Sequence, residues 1–375
     1  MKNIMTLLLA ILFSAGMAFA QNGHQATIDQ TGDGNDASAA QTGNGNEAEI
    51  EQVGDINDGF ITQDGTSHEG TILQIGEDNE VNAVQMGSGN VADILQGLDP
   101  DRTANNNVYT LTQDGVDNYA LFDVAIGDRN VGTVVQNGSD NFAAVIQGYG
   151  RVGNPDDEVN DNTASISQWT SDNDARIFQF GGDHNEAYIT QNGGNDNNAQ
   201  VSQGYLWEVH GLVPVDGYYN EARMNQDGAS NNATVMQLGE NNIFELNQFG
   251  NENYVGQKGQ VQDGNQWFLQ QGDGNRFRGV SENNGELSYD WTIFAEQNNG
   301  ATLDNDTEGI DGYYGSFQNG DDNRIGLRQG MDDWALIQQL GNSNTALLYQ
   351  FGVDRNEATI LQNGNSNQAS VFQTN

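Results

Sequence analysis

The sequence predicts an all-β chain folded as a two-sheet β-solenoid of roughly 14 coils, with two strand-turn units of about 11 residues in each coil. Three observations lead there. The phrase Q-x-G-x-x-N-x-A-x-(Ile/Val/Leu)-x returns about every eleven residues, from Gln30 to the last residues of the chain. Inside each phrase the residues between Asn and Gln alternate with period two, the signature of a strand with two unlike faces. Between Gln and Asn stands a Gly, which turns the backbone at positive φ without steric cost.

Taken in order, residues 1–20 read as a signal peptide. Lys2 supplies a short basic start, an apolar stretch follows, and Ala18-Phe19-Ala20 forms an A-x-A cleavage site before Gln21. No later stretch is long and apolar enough to span a bilayer as a helix. An exported protein is expected, and the absence of Cys means that no disulfide or thiolate site holds it. Without Lys2, 11 basic residues stand against 53 acidic ones. That sign excludes phosphate backbones as partners and keeps unassembled chains apart in solution.

Residues 21–375 read as one solenoid. In the second clean phrase Asn46, Ala48, Ile50 and Gln52 share one face, and Glu47, Glu49 and Glu51 the other. Two phrases close a coil of about 22 residues, and each strand then pairs in parallel with its equivalent in the coils above and below, about 4.8 Å away. The interior is expected at Ile28, Ala37, Ala48, Ile50, Ile61, Ile72, Ala92 and Ile94, and towards the end at Ala346, Leu348, Ala358, Ile360, Ala369 and Val371. Identical amides stacked in register can donate and accept along the column, forming ladders.

Longer insertions are expected at turns near 98–106, 148–161, 204–219, 281–290 and 305–312. Pro100, Pro155 and Pro214, the only prolines, fall in three of them, so no proline is expected inside a strand. Ile126 stands near where a Gln-led turn is due, before Gly127 and Asn130.

The ends carry the functional expectation. Ala26 and Ile28 belong to a strand phrase close to the predicted cleavage point, and Ala369 and Val371 to a strand phrase close to Asn375. Neither is followed by a polar cap of the kind that closes monomeric solenoids. Exposed strand edges of this kind template pairing with another chain. A head-to-tail contact that repeats the internal step gives an open filament.

The tandem Q-x-G-x-x-N-x-A phrase resembles the curlin repeat. The resemblance implies a curli-like functional amyloid subunit, secreted by a Gram-negative bacterium and polymerised at the cell surface as biofilm matrix and adhesive fibre. It implies ladders at Gln30, Asn35, Gln41, Asn46, Gln52, Asn57, Gln63, Gln74, Asn79, Gln85 and Asn90. Near the end the same positions are Gln339, Asn344, Gln350, Asn356, Gln362, Asn367 and Gln373. The partners it implies are further copies of the chain, an outer-membrane secretion pore with accessory factors, and a nucleating homologue. The chain has more repeats and more insertions than the family pattern, and only Gln21-Asn22-Gly23 precedes the first phrase after the cleavage point.

Nothing in the repeat asks for catalysis, a cofactor or a metal. The four His are scattered, and His24 and His68 occupy Asn positions of the phrase, as substitutes in the ladder. Gly-Asp-Gly-Asn at Gly32 and Gly272 lacks the nine-residue period of calcium repeats. The alternative to a fibre subunit is a monomeric exported solenoid, an adhesin or carbohydrate-binding module that uses its insertions.

Overall fold

The computed structural model describes residues 23–97, 104–124, 126–148, 159–180, 182–203, 205–208, 211–214, 217–237, 239–240, 243–258, 265–271, 276–280, 312–329, 333–351 and 357–374. These residues form strands and turns and no helix. They build a parallel β-solenoid, and the chain falls into two compact units, Met1–Asn195 and Asp196–Asn375. The expected signal peptide, Asn356, His210, the insertion at 281–290 and most of those at 98–106, 148–161 and 305–312 lie outside the described residues.

In the first unit successive strands fall alternately into two sheets. One runs through Gln25–Thr31, Glu47–Val53, Glu69–Ile75, Val91–Gln96, Tyr119–Val124, Phe142–Gln147 and Asp174–Gln179. The other runs through Asp36–Asn44, Asp58–Thr66, Glu80–Ser88, Val108–Val116, Val131–Ser139, Thr163–Gln168 and Glu186–Gly193. All neighbours are parallel and in register: Ile28 lies beside Ile50, and Ile50 beside Ile72. The step is 22 residues where no insertion intervenes, so like residues stack on like.

The second unit has the same plan. Seven strands from Asn198–Gln203 to Gln368–Thr374 form one sheet and six from Glu221–Gly228 to Glu357–Asn363 the other. Its last contacts place Ala346 beside Ala369 and Ile337 beside Ile360.

The core lies between the sheets, because the period of two sends Ala and the branched residues inward and the acids outward. Ala48, Ile50, Ile61, Ile72, Ala92, Ile94, Ala346, Leu348, Ala358 and Ile360 are buried, whereas Ile28, Ala37, Ala369 and Val371 are half-buried and Ala26 is exposed. Small residues let the sheets approach. A Cβ placed on Gly59 would come within 3.2 Å of Ile50 Cγ2 in the facing sheet.

Two expectations need correction. Pro214 ends a strand, in the antiparallel hairpin of Tyr205–Glu208 with Gly211–Pro214. The hairpin has two strands only, so both are edges, where a missing N–H is tolerated. The gap in the Gln phrase falls at Val124, which is in register with Gln96 and Gln147, and not at Ile126. Ile126 lies beyond the strand, where its N–H donates to Gly148 O at 3.2 Å.

Candidate functional site: amide ladders and two open rims

The site is assembled by the turn. After most strand-ending Gln residues the chain passes through a Gly and then through a non-Gly or Gly residue in the left-handed region, just before Asn. Gly54 has φ +116° and Ile56 φ 59°; Gly76 and Asp78 repeat the pair at 140° and 58°. Sequence reasoning assigned positive φ to the glycine alone. The second position is filled by Ser67, Asp78, Asp117, Arg129, Asp140 and Tyr219 among others, with no single residue type to mark it. Ile56 is the costly occupant, since a β-branched residue is disfavoured there.

That turn places Asn for three tasks. Asn57 Nδ2 donates to Gly76 O in the next turn at 2.9 Å, and Asn57 Oδ1 accepts from Asn79 N at 3.2 Å and from Asn79 Nδ2 at 3.0 Å. The Gln at the strand end does the complementary work. Gln52 Nε2 donates to Gln74 Oε1 at 2.8 Å, to Asn57 O at 2.9 Å and to Asp36 O of the facing sheet at 3.1 Å. Both residues are fully buried, and an amide so placed must have its partners or lose about 1–3 kcal/mol for each orphaned group.

The Gln columns run one way and the Asn columns the other. Gln30 donates to Gln52, Gln52 to Gln74 and Gln74 to Gln96 in one sheet, and Gln41 to Gln63 and Gln63 to Gln85 in the other. In the second unit Gln339 donates to Gln362 and Gln350 to Gln373. Asn344 donates to Asn323 Oδ1, and Asn367 N to Asn344 Oδ1. Asn35 and Asn46 take the matching places at the start: Asn57 N donates to Asn35 Oδ1, and His68 N to Asn46 Oδ1.

Two interruptions show what the columns require. At Val124 the Gln is missing, and Tyr109 reaches across the core so that its hydroxyl donates to Gln147 Oε1. The ring needs room. Gly132, its register neighbour, has no Cβ, and one placed there would lie 2.4 Å from the Tyr109 ring. Phe122 packs edge-on against Tyr109 with centroids 5.0 Å apart. Burial pushes the Tyr109 phenol well above its ordinary pKa, so it stays a donor. Tyr109→Phe is expected to lower the unfolding free energy by about 2 kcal/mol through the orphaned Gln147 oxygen, read as a drop in urea midpoint at unchanged slope.

His68 is the second interruption. It stands in the column of Asn46 and Asn90, and its Nδ1 accepts from Asn90 N at 3.3 Å, while His24 Nδ1 accepts from Asn46 N at 3.2 Å. No metal-binding cluster of His, Asp and Glu exists among the described residues. His68 Nε2, fully buried, makes no hydrogen bond. Burial pushes its imidazole below the ordinary value of 6.5, so the folded protein keeps it neutral. The stability that this provides is present above the unfolded value and is lost as pH falls through it towards the folded one. His68→Asn is expected to raise stability by about 1 kcal/mol at pH 7.5 by restoring the amide donor. The gain should grow on acidification below pH about 6.5, which urea unfolding at both pH values will read.

The outer faces are acidic. Asp36, Asp58 and Glu80 lie in register on neighbouring strands, as do Glu47 and Glu69. Partial burial, with Asp36 and Asp78 nearby, holds the Asp58 carboxyl above its ordinary pKa.

At both rims the columns stop unfinished. Among the described residues Gln25–Thr31 pairs on one side only, with Glu47–Val53, and Gln368–Thr374 only with Thr345–Phe351. Gln30 is exposed and Gln41 half-buried, and the Oε1 of each faces away from its single ladder partner. At the other rim Gln373 Nε2 donates only to Glu357 O, and Gln362 Nε2 to Thr345 O, with no Gln beyond. Phe372 and Leu361 are 56% and 65% exposed there, large apolar groups left on the outer surface.

Compared with known families, a model of the curlin associated repeat matches residues 25–54, 54–83, 160–193, 170–204 and 220–250. Each matched segment covers consecutive strand-turn units. The search among curated proteins finds no match.

Proposed function

The chain belongs to the curlin family by its repeats, and from that premise we propose that it is a secreted subunit of curli-like amyloid fibres. It polymerises head to tail through its terminal strands and serves as biofilm matrix and surface adhesive. On this reading the whole chain is a solenoid of roughly 14 coils with two strand-turn units in each, preceded by a cleaved signal peptide at 1–20. The family argues for a location outside the cell, and a secretion pore with accessory factors and a nucleating homologue are the proposed partners. We assign the chain no catalytic role.

The observation that carries the reading is the pair of open rims. The Gln columns end in unfilled acceptors at one rim and in unfilled donors at the other, on strands that share one phrase. A second copy satisfies both with the bonds that already join neighbouring layers. The acids on the outer faces oppose premature contact between subunits, so assembly depends on ionic strength.

Purified mature protein at micromolar concentration tests this. Fibres that bind thioflavin, appear after a lag and are seeded by preformed fragments are the expected result. A chain that stays monomeric for days, with or without seeds, would overturn the reading and favour the monomeric adhesin with its 205–214 hairpin.

A further inference from the structure

The two rims are out of step by one strand, and this sets how copies must join. In each unit the strands of the two large sheets alternate between them, and each stacks on the one two before it among these strands. At the far rim the last strand, Gln368–Thr374, has just been laid on Thr345–Phe351. The next free place is over Glu357–Asn363, in the facing sheet. At the near rim Gln25–Thr31 comes first and Asp36–Asn44 second, also in facing sheets.

We propose that the junction between copies pairs unlike ends. Gln25–Thr31 of one copy stacks on Glu357–Asn363 of the next, and Asp36–Asn44 stacks on Gln368–Thr374. This deepens the fibre reading and rests on it.

The residues fit this register. Ala26 and Ile28 meet Ala358 and Ile360, and Ala37 and Ala39 meet Ala369 and Val371, small on small and branched on small or branched, as in the inner layers. Gln362 and Gln373, whose Nε2 groups lack a further Gln, come beneath the free Oε1 atoms of Gln30 and Gln41. On the outer face Gln25 meets Glu357, Thr27 meets Thr359, Asp36 meets Gln368 and Ser38 meets Ser370. No acid faces an acid, unlike Asp36 on Asp58 and Asp58 on Glu80 within the first unit. Pairing the last strand with the first instead fills one sheet and leaves a gap one strand deep over Glu357–Asn363. The uncovered backbone edge and the Gln362 amide then stay unpaired inside the fibre.

The absence of native Cys makes the test direct. In-register neighbours in a sheet lie about 4.8 Å apart, within the Cα separation that a disulfide spans. Thr27→Cys/Thr359→Cys and Ser38→Cys/Ser370→Cys place thiols across the proposed junction. Thr27→Cys/Ser370→Cys places them across the alternative one. Each variant is assembled under reductant, oxidised, dissolved in formic acid and run on a non-reducing gel, beside an unassembled control. The first two are expected to give ladders of covalent multimers that appear only after assembly, and the third to stay monomeric. Multimers from the third alone would overturn the proposal. Fibres in which no pair links would overturn it while leaving the fibre reading intact. Failure of the unaltered chain to form fibres would remove both.

Discussion

Gly54→Ala is expected to cost about 4 kcal/mol, from roughly equal backbone and overpacking contributions. Gly54 has φ +116°, and a Cβ there would lie 2.0 Å from the carbonyl oxygen of Gly76 in the next layer. That oxygen cannot move aside, because it accepts from Asn57 Nδ2 and belongs to a turn that is itself stacked. The control is Gly34→Ala. Gly34 also has positive φ, at 77°, but its nearest neighbour would be Ile56 Cγ1 at 3.7 Å. It should lose only about 1 kcal/mol, the conformational cost alone. Urea unfolding of the unassembled protein separates the two. Equal losses would mean that φ, and not close approach between layers, keeps glycine at position 54.

Gln74→Val is expected to destabilise by about 3 kcal/mol, the cost of two or more buried polar groups left without partners. Gln74 accepts from Gln52 and donates to Gln96 Oε1, Asn79 O and Asp58 O. The chain itself carries the same change at Val124, but there the Tyr109 hydroxyl takes over. In the register of the facing sheet Gly59 aligns with Val81 and Val81 with Tyr109, so no hydroxyl stands near Gln74. The substitution keeps the apolar area almost unchanged. A loss below 1 kcal/mol would show that burial, and not amide pairing, binds the layers.

Much of this was legible in the sequence, for a physical reason. A stack of equal layers imposes the same environment on every equivalent residue, so the constraint prints itself repeatedly. Gln52 and Asn57 could be recognised because Gln74 and Asn79 face the same carbonyls. What escaped were features that belong to one layer or to no residue type. The left-handed residue before Asn is Ile56 in one turn, Ser67 in the next and Asp78 in a third. The Tyr109 substitution joins residues on both sheets and two layers, Val124, Gly132 and Gln147, at spacings that no phrase links. The 205–214 hairpin breaks the period altogether, and only its local alternation could have announced it.

The registered carboxylates have a consequence of their own. Asp36, Asp58 and Glu80 in one sheet, and Glu47 and Glu69 in the facing one, make vertical files of negative charge at the spacing of a β-ladder. Such a surface is a stiff polyelectrolyte, with an ion atmosphere drawn in along each file. At the proposed junction Asp36 meets Gln368, so joining subunits sets these files one after another along the fibre without merging them.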